Sequence, residues 1–199
     1  MRTVTVTGHG EARVVPDSAV VRVAAVHRAA GVADALAGAD SAARQVTATG
    51  REHTTPERIG STSVQIWPAH DQQGAPAGFE ARHSLTLRCD DIDAAGSLLA
   101  ALAESVGDLL QIEGVSLEVT DRAAAETSAR EAAYADAVGR GGHLAGLAGS
   151  QLGDPQAVTE SAYADAPVGR AMKASLDAVA LEPGEMAVAA SVTVTFQLR

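Results

Sequence analysis

Hydrophobic residues in this chain change their spacing several times, and that most limits the folds open to it. Val188, Ala190, Val192, Val194, Phe196 and Leu198 recur at every second position, the period of a strand with one buried face. Val32, Ala35, Leu36, Ala39, Ala42, Ala43 and Val46 recur at threes and fours, the stripe of an amphipathic helix stopped by Gly50. Val4 and Val6 alternate with threonines, and Val20–Val26 is apolar on both faces, as in a central strand. "ERIGSTSVQIWP" and "GFEARHSLTLRC" read as two strands joined by the hairpin loop "AHDQQGAPA". Asp90 or Asp91 caps a helix carrying Ile92, Ala95, Leu99 and Leu102, and "GVSLEVT" is a strand. A long Ala-rich helix runs from about Asp121 to Gly149, and "QAVTESAYA" is a strand. The middle of residues 165–185 follows neither period.

Helices separated by hairpin pairs predict an α+β fold, an antiparallel sheet with long helices packed on it, not a doubly wound parallel one. A length of 199 residues fits one domain over 1–199, or two lobes sharing the first and last strands. Hydrophobic residues reach 46% but aromatics only 3%, so many small Ala, Val, Leu and Ile contacts must build the core.

Charge and cysteine content exclude whole classes of function. A net charge of −10 without a basic run disfavours nucleic acid and anionic membrane surfaces as partners. No stretch approaches the roughly 20 apolar residues of a membrane span, so no membrane insertion is expected. The start "MRTVTVTG" lacks the charged and apolar regions of a signal peptide. The expected location is cytoplasmic, or periplasmic or exported if a leader was removed. The single Cys89 excludes an internal disulfide and a cysteine-built zinc site, and its alternation with Leu85 and Leu87 reads as a buried, inert thiol.

Six features of the sequence bear on chemistry. "TGHGEA" is followed by a strand and lacks the Walker lysine, so Gly8 and Gly10 read as a turn between strands, with His9 and Glu11 in solvent. The six histidines show no His-x-x-x-His pair, and neither a metal nor a cofactor is expected. "DDID" lacks the spaced acids and closing glutamate of a calcium loop. No Gly-x-Ser-x-Gly elbow anchors a hydrolase triad, so no catalytic residue is assigned. Trp67, His70, Phe79 and His83 form the one aromatic-polar concentration, either a pocket near the 67–83 hairpin or pins holding that hairpin to the core. Gly139, Gly142, Gly146 and Gly149 form a glycine stripe, which a continuing helix would need to offset by close approach to a neighbour.

An ordered set of short motifs then carries a resemblance. They are Gly10-Glu11, Pro16-Asp17 before a Val-rich strand, Ile59 leading to Pro68, Gly78-Phe79 with Ala81, and Asp91-Ile92-Asp93 with Gly96. Arg140, Leu144-Ala145, Gly149, Leu152-Gly153, Glu160 and Pro183-Gly184-Glu185 continue the series. Together they resemble the SIMPL-domain family, uncharacterised bacterial proteins similar to periplasmic immunogenic and oxidative-stress proteins and to an animal kinase-binding adaptor.

The resemblance implies antiparallel strands with packed helices, ring or cage-like self-assembly in some members, links to stress tolerance, and no established catalytic residues. Ser61 stands for a usual threonine, Phe79 for a tyrosine, Arg140 for a lysine, and Gly141-Gly142 for an Ala-acidic pair. The expected role is therefore non-enzymatic, through a homo-oligomer or a protein partner. The alternative is a small-molecule-binding protein or cryptic enzyme using the 67–83 hairpin.

Overall fold

The computed structural model describes residues 2–71, 73–161 and 181–199. Among them are β1 (Thr3–Val14), β2 (Ser18–Ala29), α1 (Val32–Gly50), β3 (Ile59–His70), β4 (Pro76–Cys89), α2 (Ile92–Val106), β5 (Leu110–Glu118), α3 (Ala123–Leu147), β6 (Leu152–Ser161) and β7 (Met186–Leu198). Every strand pairing is antiparallel, in two sheets ordered β1-β7-β6 and β3-β4-β2-β5. The fold is α+β, as the changing period predicts. Most of the unassigned segment lies outside the described residues.

Contacts group the chain into two units. The first holds β1, α3, β6 and β7. The inward residues of β1 and β7 pair in register, Val4 with Phe196, Val6 with Val194, Gly8 with Val192 and Gly10 with Ala190. On the outward face Thr5 bonds Thr195 and Thr7 bonds Thr193, each at 2.9 Å, cross-strand pairs that steady the ladder. Helix α3 lays Ala129, Ala133 and Ala137 on the inward face, against Val6, Val192, Val194 and Phe196.

Here the structure corrects the turn expected at Gly8 and Gly10. Strand β1 runs straight through both. A Cβ at Gly8 would stand 2.1 Å from the Ala133 carbonyl oxygen, and one at Gly10 2.1 Å from that of Ala129. Close approach of the helix backbone, not a turn, requires glycine there.

The glycine stripe of α3 is corrected in the opposite sense. The helix does continue, to Leu147, but its buried stripe is Ala125, Ala129, Ala133, Ala137, Gly141 and Ala145. Gly139, Gly142 and Gly146 face open space. Gly149, at φ +64°, adopts the left-handed conformation that commonly follows a helix end.

The second unit holds the four-stranded sheet with α1 and α2. Ala19, Val21, Val23 and Ala25 of the central strand β2 meet Leu85, Leu87 and Cys89 of β4. Above them lie Ala42, Ala43 and Val46 of α1 and Ala95, Leu98, Leu99 and Leu102 of α2. Asp91 caps α2 by accepting from the Asp93 backbone N–H at 2.9 Å. Asp91→Ala is expected to cost about 1 kcal/mol, read as a lower urea midpoint with unchanged slope.

Candidate functional site

The four hairpin residues do not converge. Trp67 pairs with Glu80, and Pro68 with Phe79, and neighbouring pairs in a ladder point to opposite faces. Phe79 therefore packs with Ala35, Ala39 and Ala81 beneath α1, while Trp67 stands on the other face, 36% exposed. His70 pairs with Pro76 at the exposed end of the hairpin. His83 pairs with Val64 on the α1 side.

His83 does enter a groove, in other company. The groove, of about 440 Å³, lies between α1 and the β3–β4 hairpin. It is lined by Asp40, Ala43, Arg44, Thr47, Ala48 and Arg51 of α1, Ser61 of β3, and His83 and Leu85 of β4. The Ser61 hydroxyl and His83 Nε2 are 2.8 Å apart. Their meeting depends on a bulge between Ser61 and Ser63, which shifts the β3–β4 register by one. In the sequence His83 stands out, whereas Ser61 is visible only as a departure from the resemblance.

A serine bonded to a histidine is the start of a nucleophile–base pair, which also needs an orienting acid and oxyanion donors. Among the described residues no carboxylate is hydrogen-bonded to His83, and the groove's Asp40 is held by Arg44 at 2.7 Å.

A second groove of about 700 Å³ lies over Val26, Arg28, Glu80, Arg82 and residues 108–111. Its two arginines are held by neighbours, Arg28 by Glu80. Arg82 bonds Glu113 at 2.6 Å and Gln111 at 2.7 Å, and Ser84 donates to the same Glu113 oxygen.

Elsewhere, no group of three or more His, Cys, Asp or Glu among the described residues is placed to hold a metal. Burial pushes the Cys89 thiol above its ordinary value, and Asp90 and Asp91 push it further. Cys89 is expected to react with an aromatic disulfide reagent only as the chain unfolds in urea; rapid modification of native protein would contradict this. Asp17 accepts from the Thr120 backbone N–H at 2.8 Å, which holds its carboxyl below the usual value. Because the folded value is lowered, its stabilisation is present at neutral pH and is lost as acid protonates it.

The edges of the sheets differ more than the grooves do. On β1 the Thr7 carbonyl accepts from Arg140 and the His9 N–H donates to Asp136, both at 2.9 Å, so α3 caps that free edge. Strand β5 carries Glu113 and Glu118, and β6 carries Asp154, Pro155 and Glu160. Strand β3, at the edge of its sheet, has no Asp, Glu, Lys or Arg, and every residue from Gly60 to Pro68 is exposed.

Two antiparallel sheets, helices over them, an edge strand without charged residues and, among the described residues, a groove without an assembled triad define an α+β protein whose evident surface is backbone. The chain belongs to the SIMPL family, "Protein of unknown function (DUF541)", whose model matches residues 4–196. No curated protein matches it. A solved structure, AtUAH in complex with (S)-hydroxyglycine, aligns at 13% identity over 56% of this chain and 28% of that one. Its TM-score is 0.24. No helix among the described residues is long and apolar enough to cross a membrane.

Proposed function

We propose that the protein acts without catalysis, by pairing with a second copy of itself along the free edge of β3. The β3 edge carries this reading: between its bulge at Thr62 and Pro68 it has no charge and, among the described residues, no covering element. Sheet edges are ordinarily blunted by charge, by proline or by a covering element, because their unpaired N–H and C=O groups template another strand. In a chain of net charge −10, an edge without charge is also where two copies repel least.

Pro68 and the bulge suggest the register. A proline inside a strand sits with its missing N–H on the unpaired side, so Val64 and Ile66, four and two residues before it, also direct their backbone groups outward. An antiparallel pair with Val64 opposite Ile66 of the second copy places Gln65 on the two-fold axis. The Thr62 bulge then meets Pro68 at each end, where pairing stops. The exposed side chains of Val64 (51%), Ile66 (36%) and Trp67 (36%) add apolar contact.

Light scattering after size exclusion is expected to give a mass above that of one chain, rising with concentration. A one-chain mass across a wide concentration range would remove this reading.

A further inference from the structure

We infer that the groove between α1 and the β3–β4 hairpin binds a small organic anion with a short apolar tail, a carboxylate of the medium-chain class. This site is separate from the β3 edge proposed above, although Ser61 lies on the same strand.

The charge of the lining comes first. The chain as a whole carries −10, yet this groove gathers Arg44 and Arg51 against the single acid Asp40. Arg44 is partly spent on Asp40. Arg51 is different: its backbone N–H closes the end of α1 on the Thr47 carbonyl, but among the described residues its guanidinium makes no ion pair or hydrogen bond. Most of the other described arginines have a carboxylate partner, as in Arg58–Asp90, Arg88–Glu118 and Arg130–Glu160. Arg51 thus brings five unused donors to the groove wall, in the planar fork that matches a carboxylate. Its position at the helix C-terminus offsets the negative end of the α1 dipole, which would otherwise oppose an anion.

The neutral donors follow. When His83 donates its Nε2–H to the Ser61 oxygen, the Ser61 hydroxyl proton is free to point into the groove. The Thr47 hydroxyl is not available as a donor, because it bonds back to the Ala43 carbonyl at 3.0 Å. An anion lying between Arg51 and Ser61 therefore meets charge on one wall and a hydroxyl on the other.

The floor supplies the tail. Ala43 and Leu85 are buried beneath the polar rim, and Ala48 adds an exposed apolar wall. A volume of about 440 Å³ suits a ligand of several carbons. Sites of this size combine apolar walls with a few placed polar groups.

The test titrates the full chain with hexanoate, and separately with hexylamine and inorganic phosphate, following backbone and histidine NMR signals. Hexanoate is expected to move Ala43, Ser61, His83 and Leu85. Hexylamine is expected to leave them unmoved, and phosphate to bind more weakly than hexanoate. Arg51→Gln should weaken hexanoate about tenfold, the loss of one charge-assisted bond, whereas Arg88→Gln on the opposite sheet face should not. Shifts confined to other residues, an equal response to hexylamine, phosphate binding as tight as hexanoate, or unchanged affinity in Arg51→Gln would each overturn the assignment. The wild-type shift map stands whether or not a variant folds. It is also independent of self-association, which light scattering reads on the same samples.

Discussion

Gly10→Ala is expected to destabilise the protein by about 3 kcal/mol, and Gly142→Ala to stabilise it by about 0.5–1 kcal/mol, although both add the same methyl group. At Gly10 the new Cβ would stand 2.1 Å from the Ala129 carbonyl oxygen and 2.4 Å from the Ala133 nitrogen, where ordinary contacts are 3.4–4 Å. The obstacle is helix backbone, which cannot rotate aside as a side chain can. Relief requires α3 to lift from the sheet. That would loosen Ala129, Ala133 and Ala137 from Val192 and Val194 and draw Asp136 and Arg140 away from the β1 edge they cap. At Gly142 nothing lies within 4 Å, so the methyl only removes conformational freedom from the unfolded chain. Urea titrations followed by circular dichroism measure both. Equal effects in the two variants would show that α3 does not bear on β1 as described.

The same two glycines show how much of the fold the sequence discloses. Helices α1 and α2 and strand β7 are readable because their buried and exposed positions differ in chemistry, as Leu98, Leu99 and Leu102 differ from Asp93 and Glu104. Helix α3 is not readable in the same way. With alanine on several faces, the sequence does not mark which stripe is covered, and a row of glycines draws attention to the wrong face. The partner of the packed stripe lies far off in sequence, in Gly8 and Gly10, and only their pairing with Val192 and Ala190 reveals it.

The candidate groove was partly legible for a related reason. His83 stands out by its alternation with Leu85 and Leu87, but Ser61 reaches it only because one extra residue bulges β3. Trp67 and Phe79 look like neighbours across a hairpin, yet a single step in the ladder sends them to opposite faces. Register carries that information, and turn residues alone do not fix it in a loop of this length.

Ile66→Lys is expected to bring the assembled protein to the mass of one chain while leaving its fold unchanged. Ile66 is already 36% exposed and pairs with Ala81 on β4, so a lysine there can extend into water with little cost to the isolated chain. Across the proposed two-fold pair its ammonium meets the same group of the second copy on either side of Gln65. Like charges at that spacing oppose strand pairing, which is how natural sheets protect their edges. Val158→Lys is the control. Val158 is equally apolar, 56% exposed, and lies on β6, an edge strand of the other sheet that already carries Asp154 and Glu160. It is expected to leave the mass of the assembly unchanged. Light scattering on both variants at matched concentrations decides between the edges: loss of assembly in Val158→Lys with retention in Ile66→Lys would move the contact from β3 to β6. Gln65→Glu refines the register. It sets two carboxylates against each other on the proposed axis, while the Arg82 facing Gln65 within each chain keeps the substitution tolerable for folding. Assembly of this variant should weaken at neutral pH and recover as acid protonates the pair. A response independent of pH would mean that Gln65 does not lie on the axis, even if β3 remains the edge that pairs.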